Sequence, residues 1–98
     1  MSIPKKNTPP INKRVPSLAA VDYSDMKMPM IVVYNSPADF PGKVIARVWE
    51  GSINRPTNVY CEYKTIAKCR EDAEAAGFTI CIPRSPMDDK SIVGTYMK

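Results

Sequence analysis

Residues 65–82, Thr-Ile-Ala-Lys-Cys-Arg-Glu-Asp-Ala-Glu-Ala-Ala-Gly-Phe-Thr-Ile-Cys-Ile, decide the fold. Ile66, Cys69, Ala73 and Ala76 recur at intervals of three, four and three, the spacing of a helix with one narrow buried stripe. Thr65 stands where a side-chain oxygen can cap the first turn, and Gly77 where a helix ends in a left-handed backbone. Lys68, Arg70, Glu71, Asp72 and Glu74 fall on the solvent face. Phe78, Ile80 and Ile82 then alternate with Thr79 and Cys81, the period of a strand with one face on a core. A helix over about 65–76 is therefore expected to lie across a small sheet.

Upstream, residues 30–34 form a short apolar and β-branched run after Pro29, a strand at the centre of the sheet. Residues 35–42 hold two prolines and a glycine, a loop of defined shape that Phe40 pins to the body. Residues 43–50 make the strongest strand: Val44, Ala46 and Val48 point one way, Lys43, Ile45, Arg47 and Trp49 the other. Residues 51–58 read as a connection and residues 60–63 as a strand running into the helix. Residues 83–91 form a second loop, and residues 92–97 a last strand at an edge. The fold class is α+β: a mostly antiparallel sheet of four to five strands with one helix on one face.

The 98 residues suffice for one domain and carry a formal charge of +4. The charge is uneven. Residues 1–28 hold five cations against two acids, whereas residues 29–98 hold nine against eight. That first segment also contains four of the 10 prolines and no clear period, so it reads as a disordered or extended basic arm before a single domain at 29–98. If part of it folds, residues 15–23 would add a short edge strand or a helical turn. The arm is a candidate phosphate contact for nucleic acid. No apolar run approaches the roughly 20 residues of a membrane span, and no secretory segment opens the chain, so the expected compartment is the cytoplasm.

The chain has no histidine and three cysteines without a Cys-x-x-Cys pair, which argues against zinc, against Ser-His or Cys-His catalysis and for a non-enzyme. No glycine-rich phosphate loop is present, and no metal or cofactor is expected. Asp88 and Asp89 adjoin and point apart, a poor carboxylate pair. Cys69 reads as core, and Cys81 as the one thiol on an outward phase.

Two surfaces are candidates for binding. One helix covers one face of the sheet, so Ile45, Arg47 and Trp49 need a cover of their own. That cover is either the amino-terminal segment or a loop, or else an interface with a protein partner, including a second copy in a homo-oligomer. The two proline-framed loops could also meet at one end. Ser36, Asp39 and Lys43 with Arg84, Ser85, Asp88 and Lys90 would then make a rigid polar rim for a small anionic ligand such as a nucleotide.

Ile31-Val32-Val33-Tyr34-Asn35-Ser36-Pro37, Phe40-Pro41-Gly42-Lys43, Val44-Ile45-Ala46-Arg47-Val48-Trp49, Pro56-Thr57-Asn58 and Pro83-Arg84-Ser85-Pro86 with Asp88-Asp89 resemble small uncharacterised proteins of Gram-positive bacteria and their phages. That resemblance covers residues 29–98 and supplies no site residues. It implies a bacterial or infected-host cytoplasm and service to a mobile element, as an inhibitor of a host protein or a scavenger of a nucleotide.

Overall fold

The computed structural model of the chain describes residues 13–86, 88 and 90–98. Over these residues the chain is α+β, one α-helix on an open mixed sheet of six strands. β1 is Lys13–Arg14, β2 Pro29–Asn35, β3 Val44–Glu50, β4 Arg55–Tyr63, β5 Ile80–Pro83 and β6 Ile92–Met97, with α1 at Ile66–Ala75 between β4 and β5. The spatial order is β1-β4-β3-β2-β6-β5. β1 pairs parallel with β4 and every other ladder is antiparallel.

The helix forms where the spacing placed it. The Thr65 side chain accepts from the Lys68 amide at 3.1 Å. At the other end Gly77 takes a φ of +96°, and the Phe78 amide returns to the Ala73 carbonyl at 2.9 Å. This closure drives Phe78 under the helix, where it is fully buried against an edge of the Tyr23 ring. Cys69 and Ala73 sit in the core, but Ile66 is 39% exposed. Small residues on that stripe let α1 lie close over β2, β3 and β4, onto Ile31, Val33, Val44, Ala46, Val48 and Cys61.

Asp72 departs from its expected solvent face. Its carboxylate accepts from the Tyr63 hydroxyl on β4 and from the Leu18 amide at 2.9 Å. Leu18 opens a single 3₁₀ turn, Leu18–Ala20, and is fully buried in the core. The Tyr23 hydroxyl donates back to the Leu18 carbonyl at 2.7 Å.

These contacts correct the domain boundary. Residues 13–28 belong to the folded body, and they supply both the sixth strand and a core residue worth about 2 kcal/mol of burial. Residues 1–12 of the expected arm, with Met87 and Asp89, lie outside the described residues.

Three further differences concern the sheet. The connection after β3 is shorter than residues 51–58, because β4 begins at Arg55 and Asn54 turns the chain at a φ of +51°. A register shift between Arg47 and Trp49 accommodates Pro56, which has no amide to donate, and the Thr57 hydroxyl donates to the Val48 carbonyl at 2.7 Å. β6 is an inner strand, with Tyr96 buried, and the edge belongs to β5. The phase of β5 is the reverse of the expected one: Cys81 pairs with the buried Tyr96 on the helix side, and Ile80 and Ile82 pair with Met97 and Thr95 on the other face, where they are exposed. No helix among the described residues is long and apolar enough to cross a membrane.

Glu50 ties the start of β2 to the turn after β3. Its carboxylate accepts from the Lys27 and Met28 amides at 2.9 Å each, and from the Ser52 hydroxyl at 2.7 Å. Ser52 first and then these amides hold its pKa below the ordinary 4.5.

Two outcomes are expected. Asp72→Ala leaves the Tyr63 hydroxyl and the Leu18 amide without their acceptor, so it should cost about 2 kcal/mol and lower Tm by about 10 °C in a thermal melt, with Asp72→Asn losing less. Glu50 has its pKa depressed by folding, so its contribution is complete above pH 4.5 and is lost as the pH falls through the lower folded value. Urea titrations at neutral and acid pH should therefore find a smaller acid loss in Glu50→Gln than in the parent chain.

Candidate functional site

Alternation on β3 separates two faces. Val44, Ala46 and Val48 enter the helix-side core, so Ile45, Arg47 and Trp49 face away from the helix. Register then carries this face across the sheet, because residues paired directly opposite share a side. Ile80, Met97, Met30, Trp49 and Pro56 form one row across five strands. Ile82, Thr95, Val32, Arg47 and Tyr60 form the next. Tyr34, Ile45 and Glu62 form a third at the opposite end.

The first loop covers that third row. The Ser36 amide donates to the Lys43 carbonyl at 2.7 Å, and the Gly42 amide to the Ser36 hydroxyl oxygen at 2.9 Å. Ser36 holds a φ of +52° and Gly42 one of +77°, left-handed turns that close the loop on itself. Phe40 folds down onto Tyr60 with ring centroids 5.0 Å apart. Arg47 lies over the same ring at 5.5 Å and donates to the Thr57 carbonyl at 3.1 Å.

Ile45 is consequently only 1% exposed, so it cannot offer contact area to a partner as the sequence reading expected. The cover it needs comes from its own chain. Trp49 lies on the uncovered row, half-buried, with its indole N–H shielded and unbonded among the described residues.

The two loops do meet. The Asn35 amide donates to the Ser91 carbonyl at 2.7 Å, joining their bases. Between them opens a cavity of about 580 Å³ whose lining includes Ser36, Asp39 and Lys90 from the expected rim, together with Tyr34, Phe40 and Arg47.

The rest of the rim goes elsewhere. Lys43 turns out to Glu62 at 3.1 Å, in a separate hollow with Arg14 and Lys64. Arg84, Ser85 and Asp88 build a turn of their own: Arg84 donates to the Asp88 carbonyl at 3.1 Å, and the Ser85 amide to the Asp88 carboxylate at 2.8 Å. None of the three lines the cavity. Tyr34 and Phe40 were not among the expected site residues. The signal for Tyr34 was its phase, one strand over from Ile45.

The thiols divide by burial. Burial pushes Cys61 up to about 11 and Cys69 up to about 12, which leaves both protonated and unreactive at neutral pH. Cys81 is exposed on the edge strand. No group of three or more His, Cys, Asp or Glu that could hold a metal occurs among the described residues. No protein-family model, curated protein or solved structure matches this chain.

Proposed function

We propose that this chain is a non-catalytic interaction module that buries its helix-free face against a protein, a second copy of itself in the first instance. The observation that carries the reading is the row Ile80, Met97, Met30, Trp49 and Pro56, which crosses five strands without a charge. With neighbouring strands about 4.8 Å apart, the row spans about 20 Å.

Ile80 at its outer end and Ile82 beside it in the next row are 53% and 44% exposed, a placement that apolar residues of this size reach when something else covers them. A row without charge is complementary to itself, so two copies related by a two-fold axis can lay these rows together as stacked sheets. Trp49 would be the anchor, because a large aromatic with a desolvated N–H contributes most when its surroundings exclude water. The chain's lack of histidine favours binding over catalysis. A host protein as the natural partner rests on the resemblance to phage and Gram-positive proteins alone.

Sedimentation velocity from about 1 to about 200 µM should follow a rise toward twice the monomer mass. Ile80→Lys, at an exposed edge position where folding is insensitive to the change, should hold the chain monomeric, and Trp49→Glu should do the same. A single monomeric species across the whole range would remove the proposal.

A further inference from the structure

We propose that the cavity between the two loops binds a small anion carrying a flat ring, of the charge and size of a nucleoside monophosphate. Its volume of about 580 Å³ falls in the range of small-ligand sites, about 300–1,000 Å³. Among the described lining residues, Arg47 and Lys90 bring positive charge and Asp39 a carboxylate. The two cations suit an anion.

The arginine is placed before any ligand arrives. One guanidinium nitrogen is held on the Thr57 carbonyl and the group lies over the Tyr60 ring, so its orientation is fixed and little entropy is lost when it meets an anion. Lys90 reaches the same space from the other loop and brings a compact ammonium charge.

The remaining surface suits a ring. Ile45 is a closed apolar floor, and Tyr34 and Phe40 bring aromatic surface to the walls. Asp39 and the Ser36 hydroxyl supply polar atoms for the hydroxyl or amino groups that a nucleoside carries. The loop needs no rearrangement to present them, because its own hydrogen bonds already close it. The cavity and the apolar row lie on different rows of the face, so this inference is independent of the self-association proposed above.

The test is a titration of the full chain, ¹⁵N-labelled, with AMP, GMP, CMP and UMP, and with adenosine and inorganic phosphate as separate arms. At least one monophosphate should move the amides of residues 34–40 and 90–91 with a dissociation constant tighter than about 1 mM, and adenosine and phosphate should bind more weakly. Lys90→Glu, a change at an exposed side chain, should weaken binding at least about tenfold through the lost attraction. Lys64→Glu, outside the cavity, should leave it unchanged, as should the monomeric Ile80→Lys. The proposal is overturned if none of the four shifts these amides at about 5 mM, if inorganic phosphate binds as tightly, or if Lys90→Glu binds as well as the parent chain.

Discussion

The carboxylate of Asp72 holds three separate parts of the chain at one point. It sits on α1, takes the hydroxyl of Tyr63 from the end of β4, and takes the amide of Leu18 from the segment before β2. A charged acceptor with two donors is worth more than either bond alone, because losing it strands both donors away from water. The tyrosines record the setting. Burial first, and then the donation to Asp72, push Tyr63 well above its ordinary pKa, and burial likewise raises Tyr23, which is bonded to the carbonyl of the same leucine. The seat of the helix and the packing of the first ordered segment are thus one structural event.

That event has a consequence for the sheet. α1 has 10 residues and must carry the chain from β4 past three strands to β5 at the far edge. It covers the middle strands on the way and leaves β5 without a roof. β5 cannot be moved inward, because β6 already occupies the place beside β2. Cys81 on the helix side lacks that roof, and Ile80 and Ile82 lie on the helix-free side, so a strand written Ile-Cys-Ile-Pro is exposed along its length. Pro83 blunts its end, a modest protection for a strand with no charge in it.

The local elements were legible because their signals are local. Cap, stripe and stop lie within 14 residues of one another around α1, and alternation on β3 needs only neighbouring residues. What the sequence hid depends on distance. Nothing near Asp72 marks it as an acceptor, since its donors come from residues 63 and 18. Leu18 lies in a proline-rich stretch with no period, and its burial depends on its packing against α1, which is distant in sequence.

The polar rim was half legible for the same reason. The prolines marked two shaped loops, but which side chains face the space between them was decided by hydrogen bonds inside each loop. The Ser85–Asp88 turn draws three expected residues away, and Glu62 draws away a fourth, Lys43.

The use of the first ordered segment is what leaves the opposite face open. Two faces of β3 are apolar, so a chain of this size needs two covers, and residues 13–28 could have supplied the second. Instead Leu18, with Val15, Val21, Tyr23 and Met26 around it, packs on the helix side, where the small residues of α1 left room beside Phe78. For the other face, the chain has the loop between β2 and β3, which is long enough to close over Ile45 and Tyr60 but not to reach Met30 or Ile80. A cavity at the covered end and a bare apolar row at the other follow from that division of the chain. Both candidate binding surfaces are therefore products of how the core was filled.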